Sequence, residues 1–219
     1  MCGRFTQFTE ANELEAAYHK KFDYKYRGPN YNVAPTQSVA IVTPEAIIHA
    51  RFGLVPVWAK DLNTGYTMIN AKAETILEKP TYKGLFRHSR CLVPATGFYE
   101  WLGDRGEKRP FFFTVKRRPL FSFAGLYSVR EDAEGRDFAS FTIITTTPNA
   151  LVGKVHDRMP VILSKEDEDA WLNTLAEDAE ALLRLLTAYP ASKMASVEVS
   201  TMVNRASAEN SEELIKPID

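Results

Sequence analysis

The chain opens Met1-Cys2-Gly3-Arg4. Cysteine is small enough for an initiator methionine to be clipped from in front of it. Removal would leave Cys2 with an α-amine and a thiol on adjacent carbons. The amine has an ordinary pKa of about 8 and the thiol about 8.5, so both are partly nucleophilic near neutrality. An aldehyde can condense with such an amine to an imine, which the thiol then closes into a five-membered thiazolidine. Alternatively, the amine can act as base for its own thiol, as in N-terminal-nucleophile hydrolases. If Met1 is retained, the amine is tied up in a peptide bond and neither reaction is open.

Composition bounds the setting. The 219 residues are 45% hydrophobic, as expected of a soluble globular chain with a sizeable core. No apolar run approaches the length of a membrane span, and no basic segment followed by an apolar stretch suggests a signal peptide. Two cysteines, Cys2 and Cys91, argue against a disulfide framework and suit a reducing cytoplasm. With neither a C-x-x-C nor an H-E-x-x-H pattern, no metal site or cofactor is expected. The net charge of −1 hides a split: residues 1–130 carry 19 Lys and Arg against 11 Asp and Glu, and residues 131–219 carry 8 against 17. A basic front portion permits a polyanion-binding face without an overall basic composition.

The N-terminus needs a scaffold to hold it. Thr9 is placed to cap a helix entered by Glu10, with Leu14, Ala17, Tyr18 and Phe22 on one face. Residues 23–34 read as a loop, extended where Ala34 precedes Pro35. Val39–Thr43 and Ile47–Leu54 read as strands joined at Pro44-Glu45, after which Trp58 stands in a loop beside prolines. Residues 68–78 favour helix, with Asn70 a candidate N-cap, and the stretch from Lys79 to Arg90 is strongly basic. Cys91–Pro94, Phe111–Val115, Leu120–Gly125 and Phe138–Thr146 are rich in β-branched and aromatic residues and read as strands, and Val161–Leu163 as a shorter one. Ser164 with Asp167 resembles a capping box opening a helix with Trp171, Leu172 and Leu175 inward. A second helix follows over 177–187, then a strand at Val197–Val199 and a polar, partly flexible tail from about Ser207. Many closely spaced strands with few helices indicate an α+β fold: one domain over 1–219 with a mostly antiparallel, barrel-like β core.

Five segments, in order, are similar to one family: Met1-Cys-Gly-Arg-Phe5, Tyr31-Asn-Val-Ala-Pro35, Ile69-Asn-Ala-Lys-Ala-Glu-Thr75, Gly97-Phe-Tyr-Glu-Trp101 and His156-Asp-Arg158. Together they resemble the SOS response-associated peptidase (SRAP) family, whose members crosslink to abasic sites in single-stranded DNA. The resemblance runs from residue 1 to about 165. It implies a monomer acting on abasic single-stranded DNA, in the cytoplasm and associated with the nucleoid when bound. It also implies self-crosslinking through Cys2, with Met1 removal, peptidase-like and lyase-type activities as family possibilities.

By the same resemblance, Asn70 holds the N-terminal residue or the opened sugar, Glu100 works on the amine and sugar oxygen, and His156 acts as acid–base. Opening the sugar needs a proton donor at its ring oxygen, which suits a histidine. Arg4, Lys72 and Arg158 are implied at phosphates, with Thr145 hydrogen-bonding one. Pro35 and Trp58 are implied as an apolar wedge beside a flipped-out site. Two departures stand out. Lys72 replaces an arginine common in the family, losing the bidentate fork, and Trp58 follows Val57 where members carry two adjacent tryptophans. An acyl-transferring peptidase using the same four residues, and a non-catalytic single-strand binder, are the alternative readings. His19, His49 and His88 read as structural or surface residues, and Cys91 as a buried small hydrophobe.

Overall fold

The computed structural model describes the chain apart from residues 1, 24–25, 60, 62–67, 104–107, 133, 175–177 and 219. Its centre is a ring of five strands. β3 (Ser38–Val42) and β4 (Ile47–Phe52) form an antiparallel hairpin, whose turn is closed by the Ala46 N–H donating to the Thr43 hydroxyl at 3.1 Å, a local side-chain turn. β3 also pairs with β6 (Arg90–Ala95), β6 with β9 (Phe121–Glu131), and β9 with β10 (Asp137–Thr146), all antiparallel. β10 then meets β4 in parallel and closes the ring. Closure satisfies backbone donors and acceptors that an open sheet would leave at its edges. β6 is buried at every position, which accounts for the apolar run that follows Arg90 in it.

A five-stranded sheet lies beside the ring. It runs β13 (Met194–Glu198), β8 (Arg109–Val115), β7 (Gly97–Leu102), β1 (Arg4–Gln7) and β2 (Asn30–Val33). Phe5 of β1 joins the two layers, with its ring 5.5 Å from Phe52 and 5.8 Å from Phe123, both edge-on. Phe98 stacks on Phe113 at 5.0 Å within the same core. Burying one such ring contributes roughly 1.5–3 kcal/mol, so Phe5 anchors a terminus that would otherwise fray. Gly97 is required where it is: a Cβ there would lie 2.2 Å from the Phe112 ring.

Helices cover the ring. α1 (Ala11–Tyr18) is capped by Glu10, not Thr9. The Glu13 carboxylate accepts the Glu10 N–H at 3.1 Å, so the acidic residue one position on wins the cap. α2 (Pro80–His88) occupies the basic segment, with Pro80 at its first turn. Arg90 does not join that basic face. It is buried, donating to the carbonyls of Phe86, Arg87 and Trp171 and so closing the C-terminus of α2. α3 (Lys165–Asn173) starts at Ser164, whose hydroxyl accepts the Asp167 N–H at 3.2 Å. Trp171 and Leu172 face inward, and Leu175 lies outside the described residues. α4 (Ala179–Arg184) is shorter than expected; residue 177 is outside the described residues.

Two other expectations are corrected. Asn70 caps no helix. Residues Asn70–Lys72 form a short strand, β5, parallel to β10, followed by a single 3-10 turn at Ala73–Thr75. Pairing with β10 outweighs the weak helical preference of Ala-Lys-Ala-Glu. The tail is docked rather than loose. Asn210 holds the Tyr31 N–H and the Pro29 carbonyl through its side chain, and Leu214 is fully buried with Tyr99, Phe112 and Val203.

Candidate active site and nucleic-acid interface

Cys2 is buried beside the start of β1. Asn70, at the first position of β5, donates from its side-chain amide to the Cys2 carbonyl at 3.1 Å and to the Ile69 carbonyl at 2.9 Å. Its Oδ1 is buried and has no hydrogen-bond partner among the described residues, an acceptor held ready at the site. The register of β1 on β7 sets Arg4 opposite Tyr99, so Glu100 lies one residue past that pair, on the Cys2 side. Burial holds the Cys2 thiol well above its ordinary range, and the negative charge of Glu100 adds to this. The nucleophile is therefore a neutral thiol until a base takes its proton.

Glu100 is 2% exposed, and burial pushes its carboxyl up to about 8. At neutral pH it carries a proton in most molecules. His156 Nε2 stands 3.9 Å from Glu100 Oε2. Its Nδ1 accepts the Arg158 N–H at 3.0 Å, with Asp157 Oδ1 also 3.0 Å away. The residue leaves a 3-10 turn (Val152–Lys154) held by Asn149 Oδ1, which accepts the Leu151 and Val152 N–H groups at 2.9 Å each. Burial lowers the imidazole's pKa, so the ring is mostly neutral at neutral pH. Nδ1 thus meets both a donor, the Arg158 N–H, and an acceptor, the Asp157 carboxylate, while Nε2 is the nitrogen nearer Glu100. Two groups able to give and take protons thus stand together beside a thiol, in a site sheltered from water.

The cations are arranged less simply. The Arg158 fork grips Glu74 with two 2.8 Å contacts and reaches the Thr145 carbonyl at 2.6 Å. Lys72 lies opposite Thr145 across β5 and β10 and is exposed, in no ion pair among the described residues. Thr145 itself is 1% exposed and faces Arg158 at 3.4 Å, not solvent as expected of a phosphate contact. The Arg4 guanidinium also points elsewhere: it donates to Asn32 Oδ1 at 2.7 Å and to the Val203 carbonyl at 2.8 Å. It clamps the N-terminal strand to the C-terminal segment. Glu74 and Asp157, in contact with Arg158 and His156, were given no role by sequence reasoning; both lie inside quoted motifs, which was the available signal.

The remaining two residues stand apart from this linked set. Pro35 is half-buried and precedes Thr36, which adopts a left-handed φ of 75°. That conformation costs a non-glycine residue on the order of 1 kcal/mol, and the Thr36 N–H donating to the Phe52 carbonyl at 2.7 Å helps hold it. Trp58 sits on the turn after β4, 68% exposed, with Val57 equally so; it is not core. His49 is half-buried and kept neutral, its pKa pushed down to about 4 by burial and by Arg27. Cys91 is buried. Among the described residues, no cluster of His, Cys, Asp and Glu could hold a metal ion, and no helix is long and apolar enough to cross a membrane.

The architecture is a closed barrel with a flanking sheet, carrying a buried near-terminal cysteine, a carboxylic acid and a histidine at one mouth. The chain belongs to the SOS response associated peptidase (SRAP) family, whose model matches residues 1–206. It is 41% identical over 232 aligned positions to the abasic site processing protein YoqW of Bacillus subtilis, covering 99% of both chains. It is 29% identical to the abasic site processing protein HMCES of Gallus gallus, covering 89% of this chain and 68% of that one. A crystal structure of a protein from Bacteroides thetaiotaomicron superposes with a TM-score of 0.89 at 28% identity, covering 99% of this chain and all of that one.

Proposed function

We propose that this protein, acting as a single-domain monomer in the cytoplasm, senses abasic sites in single-stranded DNA and bonds to them through Cys2 once Met1 has been removed. The relatives named as abasic site processing proteins support the substrate class. The observation that carries the chemistry is the convergence of a buried Cys2, gripped at its carbonyl by Asn70, with the Glu100–His156 pair. Met1 lies outside the described residues.

An abasic deoxyribose is mostly a closed hemiacetal. His156 donates a proton to the ring oxygen as the bond from C1′ to that oxygen breaks, and the C1′ hydroxyl gives up its proton to leave an aldehyde. The Cys2 amine attacks C1′, and water leaves as the imine forms. Glu100 relays these protons, since its pKa of about 8 lets it hold or release one near neutrality. The thiol then adds across the C=N bond: sulfur bonds to C1′, its proton passes to nitrogen, and the thiazolidine is complete with net loss of one water. Asn70 Oδ1 accepts a hydrogen bond from a sugar hydroxyl or the amine. Lys72 meets a phosphate directly, Arg158 does so by sharing its fork with Glu74, and Arg4 through whatever donor capacity Asn32 and Val203 leave. Pro35 and Trp58 stack on or separate the bases next to the flipped-out sugar, and Thr145 acts through Arg158.

The test is intact mass after incubation with an abasic oligonucleotide. The mature protein gains one oligonucleotide less one water, and Cys2→Ala yields no heat-stable adduct. An equally stable adduct from Cys2→Ala would overturn the thiazolidine. Cys2→Ser keeps the amine and is expected to form only an imine, trapped by borohydride.

A further inference from the structure

His156 owes its orientation and its location to different contacts. Its ring meets the Arg158 N–H and the Asp157 carboxylate, each at 3.0 Å. Both partners belong to its own loop, so they turn the ring without placing the loop on the barrel. Glu100, 3.9 Å away, is beyond the length of a hydrogen bond that would fix the histidine. On its C-terminal side the loop is anchored by Arg158, which reaches Thr145 and Glu74, and by β11 (Met159–Pro160), paired to the end of β10.

On its N-terminal side the anchor is Asn149, a half-buried residue just past the end of β10. Its Oδ1 accepts the Leu151 and Val152 N–H groups at 2.9 Å each, and the Val152 carbonyl in turn accepts the His156 N–H at 2.9 Å. Its Nδ2 donates to the Tyr189 carbonyl at 2.6 Å. Its main-chain N–H donates to Met159 Sδ at 3.3 Å, on the far limb of the same loop. One residue therefore ties the turn that leads to His156 both to the other limb of its loop and to the segment entering β13. An amide suits this role, because one end accepts while the other donates; a carboxylate can only accept.

We propose that Asn149 is the positioning residue for His156, holding the imidazole where it can pass a proton to the reacting sugar. It touches no substrate atom and acts through the turn over Val152–Lys154. This rests on the crosslinking reading above, in which His156 moves the proton, and deepens it by assigning what puts the histidine in place. A displacement of about 1 Å caused away from the reacting atoms can cost on the order of 10²-fold in rate.

The experiment measures crosslinking rates with a saturating abasic oligonucleotide for wild type, Asn149→Ala, His156→Ala and the double variant. Tm and affinity for undamaged oligothymidylate are measured alongside. Asn149→Ala is expected to slow the wild type about ten- to a hundredfold, and to add about twofold or less where His156 is already alanine. Oligothymidylate affinity should not change. Asn149→Asp keeps the acceptor for the two turn N–H groups and should recover most of the rate. Both variants lose the bond to Tyr189 and should lose Tm alike, so a rate that follows the acceptor and not Tm separates positioning from stability. An unchanged rate in Asn149→Ala, or equal slowing in both backgrounds, overturns the positioning role and leaves the crosslinking reading standing. So does an Asn149→Asp rate as low as that of Asn149→Ala. No adduct from the wild type overturns the reading on which the proposal rests.

Discussion

The mouth of the barrel around Cys2 and the face formed by Trp58 with α2 treat polar groups in opposite ways. At the mouth, both arginines are held before any ligand arrives, Arg158 by Glu74 and Arg4 by Asn32 and main-chain carbonyls, and only Lys72 is left exposed. The acid and the histidine are sheltered, with pKa values displaced toward neutral forms. On the outer face, Lys83 and Arg87 are exposed and in no ion pair among the described residues, and Trp58 is turned to solvent. The difference separates two tasks. Bond-making needs groups fixed in position with tuned protons, which burial supplies. Holding a strand needs charge and aromatic area at low desolvation cost, which only exposure allows.

That contrast can be broken at the mouth first. His156→Ala is expected to slow crosslinking to closed abasic sites 10²–10⁴-fold, the usual worth of a general acid. Single-strand affinity should change little, because the outer face is intact. Rates on a simple aldehyde, which needs no ring opening, should fall much less. Stopped-time mass spectrometry with both substrates measures this; equal slowing on both would place His156 at the Cys2 amine or thiol instead.

Glu100→Gln tests the buried acid. Its folded pKa of about 8 lies above the unfolded value near 4.3, so the folded state binds the extra proton. The stability this confers is full below about pH 4 and is lost as pH rises through 8, a decline of a few kcal/mol. Denaturant unfolding across that range should show the decline in the wild type and not in the Gln variant. A crosslinking rate profile should likewise lose the Glu100 contribution near pH 8 and keep only that of the attacking amine.

Glu74→Gln sharpens the comparison by making the mouth resemble the outer face. With the fork of Arg158 released from a partly exposed carboxylate, stability should fall by about 1 kcal/mol or less. Single-strand affinity should rise, and its log-salt slope should steepen by roughly 0.7, one phosphate contact. Titrations at several salt concentrations check both. The smallest effect belongs to Lys72→Ala, which should flatten the same slope by under one unit while leaving crosslinking at saturating DNA unchanged.

Residue types and local order determined much of this protein. The β-branched and aromatic runs mark strands, because strand preference is carried by near neighbours; Phe111–Val115 and Phe138–Thr146 fall within β8 and β10. The Ser164 cap is equally local, and the aminothiol chemistry of Cys2 follows from covalent structure alone. What the sequence could not decide depends on partners far along the chain. Asn70 reads as a helix cap until β10, some 70 residues later, recruits it as a strand. Arg4 reads as a free cation until Val203, 199 residues away, accepts its hydrogen bond. Arg158 reads likewise until Glu74 neutralises it across 84 residues. Trp58 could have been core, and only the folded turn exposes it. Local preference amounts to tenths of a kcal/mol per residue, whereas strand pairing and burial add several interactions at once. Where the two disagreed, as at Asn70, tertiary structure decided.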